Sequence, residues 1–303
     1  MKKKSFCRLL RLIPLPLLAA PLFFASCSSD DSMTPIDEVK MPQRPISVEV
    51  SETPFGNTTE ARQLTRAAIT DLTSFNSFKM IANNPAKDDY EVTKNGSWVV
   101  NNSWPRDVND NASVTFYAYS NGTYDDNSGT PYISFIMDKN ASAQHDLLVA
   151  TNTVSFNDHQ GKVPLTFDHA CAAVAFNVQI TSTLKTKLGS TLTVNSIVLR
   201  NVSNTGKYYF GETPAWGDVS GSAYYTLTDG DITVDNTPQA LRSNYLFVIP
   251  QTRDANGTTG TYLEINYTFS GQTKTSATIP LAVNWAAGSK YTIDIKLGTG
   301  LIQ

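Results

Sequence analysis

Ala172-Ala-Val-Ala-Phe176-Asn-Val-Gln-Ile180 places Ala172, Val174, Phe176, Val178 and Ile180 at every second position. Successive side chains of a β-strand point to opposite faces, so a period of two lines these five along one buried side. The same alternation recurs through the chain. Phe78, Met80 and Ala82 share a face, and Val114, Phe116 and Ala118 share another, opposed by Thr115, Tyr117 and Tyr119. Leu263, Ile265, Tyr267 and Phe269 alternate with polar neighbours, as do Tyr291, Ile293, Ile295 and Leu297. Tyr245-Leu-Phe-Val-Ile249 is apolar on both faces and reads as a strand buried in the middle of a sandwich.

Asn95-Gly96, Asn121-Gly122, Asp229-Gly230 and Asn256-Gly257 supply the positive-φ pairs that tight hairpins need. One short helix is expected from Thr181 to Gly189, with Leu184 and Leu188 inward and Gly189 as C-cap. Evenly spaced strands with Gly and Asn turns predict an all-β fold of β-sandwich type. Patterning restarts at Val163-Pro-Leu-Thr-Phe167, which suggests two domains, 61–164 and 165–303.

The chain starts with Lys2, Lys3, Lys4, Arg8 and Arg11, followed by an uncharged apolar run from Leu12 to Phe24. That order is a secretory signal, and the run is shorter than the roughly 20 residues a membrane span needs. Ala25-Ser26 then leads directly into Cys27, which resembles the lipobox of bacterial lipoproteins. The resemblance implies cleavage between Ser26 and Cys27 and acylation (palmitate) of the Cys27 thiol. Phe24 stands where a lipobox usually has Leu. Ser28-Ser-Asp-Asp31 is similar to the acidic export tag of Bacteroidales lipoproteins displayed outside the outer membrane. Residues 1–26 are therefore read as signal peptide and 27–60 as a lipidated tether, since its Ser-, Pro- and Asp-rich sequence favours an open chain. Ser47-Val-Glu-Val50 within it has the pattern of a short strand.

Five of the 24 basic residues lie in the signal, so the remainder carries 19 basic and 27 acidic side chains, a formal charge of −8. Such a surface has no electrostatic footprint for nucleic acid or anionic lipid, and attachment to the outer membrane falls to the lipid. Of the three cysteines, only Cys171 follows Cys27, so no disulfide supports the mature chain. No cofactor motif is present. His169 and Cys171 lie two apart, as a catalytic pair on one strand face would, but Ala173 and Ala175 continue that face as small packing residues. Asp107-Val-Asn-Asp-Asn111 and Asp229-Gly-Asp231 through Asp235 offer oxygen ligands without calcium-loop spacing, and turns use the same residues. No catalytic or metal-binding residue is assigned. Trp98, Trp104 and Trp216 are read mainly as roofing the ends of a sandwich. Their alternative use is stacking on sugars, which would make the protein a surface glycan-binding lipoprotein.

Pro164-Leu-Thr-Phe-Asp-His169-Ala-Cys-Ala-Ala-Val-Ala-Phe176 resembles a histidine-bearing strand of the fimbrillin family (Mfa-like) of Bacteroidales. Three further stretches resemble that family in the same order: Thr65-Arg66-Ala67 leading into Phe75 to Ala82, Asp146-Leu-Leu-Val-Ala150, and Trp285-Ala-Ala-Gly-Ser-Lys-Tyr291. The resemblance spans roughly residues 60–297. It implies two transthyretin-like Greek-key β-sandwich domains, display in a fimbrium or pilus, and a non-catalytic role in cell adhesion. It also implies assembly with other fimbrial subunits by β-strand addition, after an arginine-specific protease cuts between Arg66 and Ala67. An ordinary linker arginine is the alternative reading of Arg66. Shaft subunits of the family carry a further C-terminal donor strand, whereas only Gly298 to Gln303 follows the Tyr291 strand here. An anchor, tip or accessory subunit is therefore expected before a main shaft subunit. The receptor is not legible in the sequence.

Overall fold

The computed structural model describes residues 44–57, 75–83, 87–127, 129–228, 230–257, 259–269 and 275–302. Among these, strands dominate and the only α-helices are Phe156–His159 and Ser182–Leu188, so the fold is all-β. The second helix follows the expected design. Thr181 caps its start by accepting from the Leu184 N–H, Gly189 closes it in the left-handed region, and Leu184 is buried.

Seven strands form one sheet in the order Ser47–Glu52, Lys162–His169, Leu148–Val154, Val114–Tyr119, Ser77–Asn83, Asp88–Asn95 and Ser97–Val100. A bridge between Pro45 and Ser103 brings the two ends of this order together. The sheet curls around a core that contains Phe78, Met80, Tyr90, Val92, Trp104, Phe116, Val163, Leu165 and Phe167. On its other face Ile81, Tyr117, Tyr119 and Val149 join a larger core. That is why Val114–Tyr119 is buried on both sides although its sequence alternates. A four-stranded sheet draws on both halves of the chain: Ala215–Ser220, Thr205–Tyr209, Tyr132–Ile136 and Thr123–Asp125.

Two of the three remaining sheets close the larger core, the third being the pair Gln251–Arg253 and Val283–Trp285. In one, the central strand Ala172–Ile180 runs parallel to the closing strand Ser289–Leu297, in register from Ala173 with Lys290 to Ile180 with Leu297. Gln239–Ala240 and the fully buried Leu246–Val248 pair with the central strand, and Gly56–Asn57 pairs with the closing strand. In the other, Leu192–Val202 and Tyr262–Thr268 are antiparallel neighbours, with Ala223–Thr226, Ile232–Val234 and Thr275–Pro280 alongside. Leu263, Ile265 and Tyr267 point inward as the alternation requires.

Two expectations are corrected. Of the four Gly turns, Asn95-Gly96 makes the tight hairpin, pairing Asn95 with Ser97. Gly122, Gly230 and Gly257 have positive φ, but each lies between strands that do not pair with one another. A positive φ reverses the chain without dictating that the strands on either side must bond. Second, residues 44–57 are not an open tether. Ile46, Val48 and Val50 alternate onto the smaller core, and that burial fixes the segment in the sheet. The expected boundary at residue 165 falls inside the strand Lys162–His169.

Candidate functional site

The segment 44–57 closes the open edges of two sheets in succession. Ser47–Glu52 lies parallel to Lys162–His169, pairing Ser47 with Lys162 through to Glu52 with Phe167. Its ends are tied by Ser47 N–H to Gly161 O (3.0 Å) and Thr53 N–H to Phe167 O (2.8 Å). On the solvent face Ser51 meets Thr166 at 2.9 Å, and Glu49 lies 3.5 Å from Lys162. Upstream, the Arg44 guanidinium donates to Val108 O (2.9 Å) and Pro105 O, and pairs with Asp110. Downstream the chain crosses over, and Gly56 N–H donates to Gly288 O at 2.7 Å.

At the crossing the segment inserts two side chains, Glu52 and Phe55. His169, at the end of its strand, has Nδ1 2.5 Å from Asp146 Oδ2 and Nε2 2.5 Å from Glu52 Oε1. All three side chains are at most 10% exposed. The Glu52 contact is a close approach and not a well-aimed hydrogen bond, because Nε2 lacks one of good geometry. Asp146 has a second tie, accepting the Cys171 N–H at 3.2 Å on Oδ1. The Phe55 ring is buried and stacks on His169, with centroids 3.7 Å apart and planes 23° apart, and faces Phe247 at 6.3 Å. Lys290 of the closing strand sets Nζ 5.4 Å from the Phe55 centroid. Desolvation lowers the Lys290 pKa while Glu52 pulls it up. Two carboxylates, an imidazole and an ammonium thus meet around one ring in a mostly buried place.

The other singled-out residues are placed as follows. Ser26, Cys27, Arg66, Ala67 and Asp229 lie outside the described residues. Cys171 does not share a strand face with His169, since the strand ends at His169 and Cys171 belongs to the turn before Ala172. Its thiol is fully buried, and burial and then Asp146 push its pKa well up, which disfavours the nucleophilic thiolate. Asp110 pairs with Arg44, Asp235 with Lys185 (2.7 Å), and Asp231 accepts from Asn195 (3.1 Å). Among the described residues no three His, Cys, Asp or Glu side chains cluster as metal ligands. Trp104 is core, 1% exposed. Trp98 is half-buried against Phe75 and Phe78, and Trp216 is half-buried with its N–H on Ala170 O (2.6 Å). Sequence reasoning missed Glu52 and Phe55. Their one visible signal was an aromatic ring in a polar, Pro-rich stretch.

The sequence model of the family described as Fimbrillin-like matches residues 60–303. No curated protein matches the chain. Among solved structures, a fimbrial protein from Bacteroides vulgatus ATCC 8482 superimposes with a TM-score of 0.58 at 17% identity, covering 86% of this chain and 97% of its own. A candidate cell adhesion protein from Parabacteroides distasonis ATCC 8503 gives a TM-score of 0.53 at 11% identity, covering 84% and 89%. At these identities the likeness is one of fold.

Proposed function

The chain belongs to the fimbrillin-like family, and from that premise we propose that it is a surface fimbrial component assembled by exchange of the segment 44–57 for a neighbour's strand. The family supports the coarse statement, a structural protein of fimbriae and cell adhesion at the cell surface. The observation that carries the finer one is the double pairing of this segment upstream of Arg66. A cut between Arg66 and Ala67 would leave it held by non-covalent contacts alone. Once it departs, the strand Lys162–His169 is unpaired from Lys162 to Phe167 and the closing strand at Ser289 and Lys290, and unpaired edges recruit strands.

We further propose that the uncut chain stays on the outer membrane through lipidated Cys27, as an anchor, tip or accessory subunit. We propose the boundary between its two modules at the turn Ala170–Cys171, a reading supported by the smaller core's drawing on residues 46–167 only. Surface glycan binding is the second reading, but burial of Trp104 removes one of the three rings it would use. The test is mass spectrometry of the native N-terminus, joined to cleavage of purified chain 28–303 by an arginine-specific protease. A lipidated Cys27 supports the anchor, and a start at Ala67 supports the processed acceptor. Strand exchange is refuted if cut protein never trades its 44–57 segment for an excess of labelled segment peptide.

A further inference from the structure

We propose that the pocket formed by His169, Asp146, Lys290 and Phe247 selects the incoming strand, admitting one with an acidic residue three positions before an aromatic ring. This rests on the strand-exchange reading above and names the partner that reading leaves open.

Loss of the segment removes Glu52 and Phe55 together. His169 Nε2 then loses the carboxylate beside it, and the His169 ring and Lys290 lose the aromatic ring packed against them. Asp146 is committed to His169 Nδ1 and the Cys171 N–H, so it cannot also reach Nε2. A buried polar group that has lost its partner is costly, and a replacement strand that brings a carboxylate to Nε2 removes that cost. The ring requirement has a separate origin. Phe55 presents its face to His169 at 3.7 Å while Lys290 sits 5.4 Å from its centroid. The negative face of an aromatic ring is attracted to the Lys290 ammonium and its flat surface stacks on the imidazole, neither of which an aliphatic side chain of equal volume does.

Geometry sets the spacing. Glu52 is the last residue paired with the strand Lys162–His169, and Gly56 is the first paired with the closing strand. Thr53 and Pro54 span the gap in exposed backbone. Ahead of Glu52, Val50, Val48 and Ile46 supply alternating apolar side chains to the smaller core. The fitting partner is therefore a neighbouring subunit's strand with three alternating apolar residues, an acid two positions after the last of them, and a ring three further on, running parallel to both edges. Gly298 to Gln303 contains neither an acid nor a ring, so this stretch does not fit its own pocket.

The experiment uses chain 28–303 cut after Arg66, incubated with fluorescent peptides of sequence 44–57 in native form and as Glu52→Gln, Phe55→Ala, Phe55→Leu and Glu49→Gln. Affinity is read by anisotropy and occupancy by native mass spectrometry. The native peptide and Glu49→Gln, whose site is exposed, bind alike. Glu52→Gln weakens binding at least about thirtyfold and Phe55→Ala on the order of a hundredfold. Phe55→Leu falls between native and Phe55→Ala. Native binding with Glu52→Gln or Phe55→Leu equally tight overturns the selection rule while leaving strand exchange intact. Failure of every peptide to enter, the native included, overturns strand exchange and the rule with it.

Discussion

Phe55→Ala in the uncut chain should loosen the crossing of the segment without loosening the body. The ring is 6% exposed, and truncating a buried Phe to Ala costs about 3–5 kcal/mol. Phe55 stands next to a pairing of only two residues, Gly56 and Asn57 with Ser289 and Lys290. The loss therefore falls first on local opening of that end. Two amides report it: Thr53 N–H on Phe167 O and Gly56 N–H on Gly288 O. At about 1.4 kcal/mol per decade, a loss of about 3 kcal/mol raises their opening constant roughly a hundredfold. Hydrogen exchange read by NMR should show that acceleration at Thr53 and Gly56. Amides between Ala172–Ile180 and the closing strand should keep their rates. Unchanged exchange at Gly56 would refute the claim that the ring holds the crossing. Equal acceleration everywhere would show the ring to be a part of the global core instead.

Trp104→Ala empties a site packed edge-on against Phe116 and Phe156, and should lower Tm on the order of 10 °C; a melt shifted by less than 3 °C contradicts its assignment to the core. Gly161→Ala puts a Cβ 2.3 Å from Pro45 O and 2.9 Å from Phe156 Cε2 at φ +78°, and should cost at least about 1 kcal/mol in a denaturant titration. A variant with the native midpoint would show that residues 44–46 do not press on this turn. Burial, with a smaller push from Asp168, raises the Tyr208 phenol from 10.0 to about 12. A raised folded pKa means this stabilisation is complete below pH 10 and drains away as pH climbs toward about 12, by on the order of 2 kcal/mol. Denaturant midpoints between pH 9 and 12, followed with phenolate absorbance, check it; flat stability across that range contradicts it.

The strands were legible because alternation reports burial directly, as at Met80, Phe116 and Ile265. Thr181 and Gly189 likewise announced their helix through capping chemistry that is local in sequence. Pairing was not legible. Nothing in Ser289–Leu297 says that it will lie parallel to a strand more than a hundred residues earlier, since register follows from which faces the core can close. Gly122 and Gly257 show the same limit, fixing a backbone angle but not a neighbour. The pocket was hardest to see. Glu52, Asp146, His169 and Lys290 come from four separated stretches, and charged residues in a Pro-rich stretch read by default as solvated. Arg66 and Cys27 gave the opposite case, motifs readable in sequence that lie outside the described residues.

On the strand-exchange proposal, one segment paired to two sheets would reconcile solubility with assembly. Open edges on Lys162–His169 and Ser289–Leu297 would recruit any strand that met them, and parallel pairing is slightly less stable per residue than antiparallel. In the uncut chain the segment competes intramolecularly, and that effective concentration outweighs free strands in solution. Cleavage after Arg66 would abolish this advantage at one stroke, leaving native and foreign strands to compete on contacts alone. Backbone pairing cannot tell them apart, because every strand carries the same N–H and C=O groups. Discrimination then rests on side chains that enter buried, charged surroundings, where a mismatch cannot be relieved by water. Within the segment, Glu52 is the residue that meets that description most fully. Replacing it should therefore alter which strands enter a cut molecule far more than it alters the fold of an uncut one.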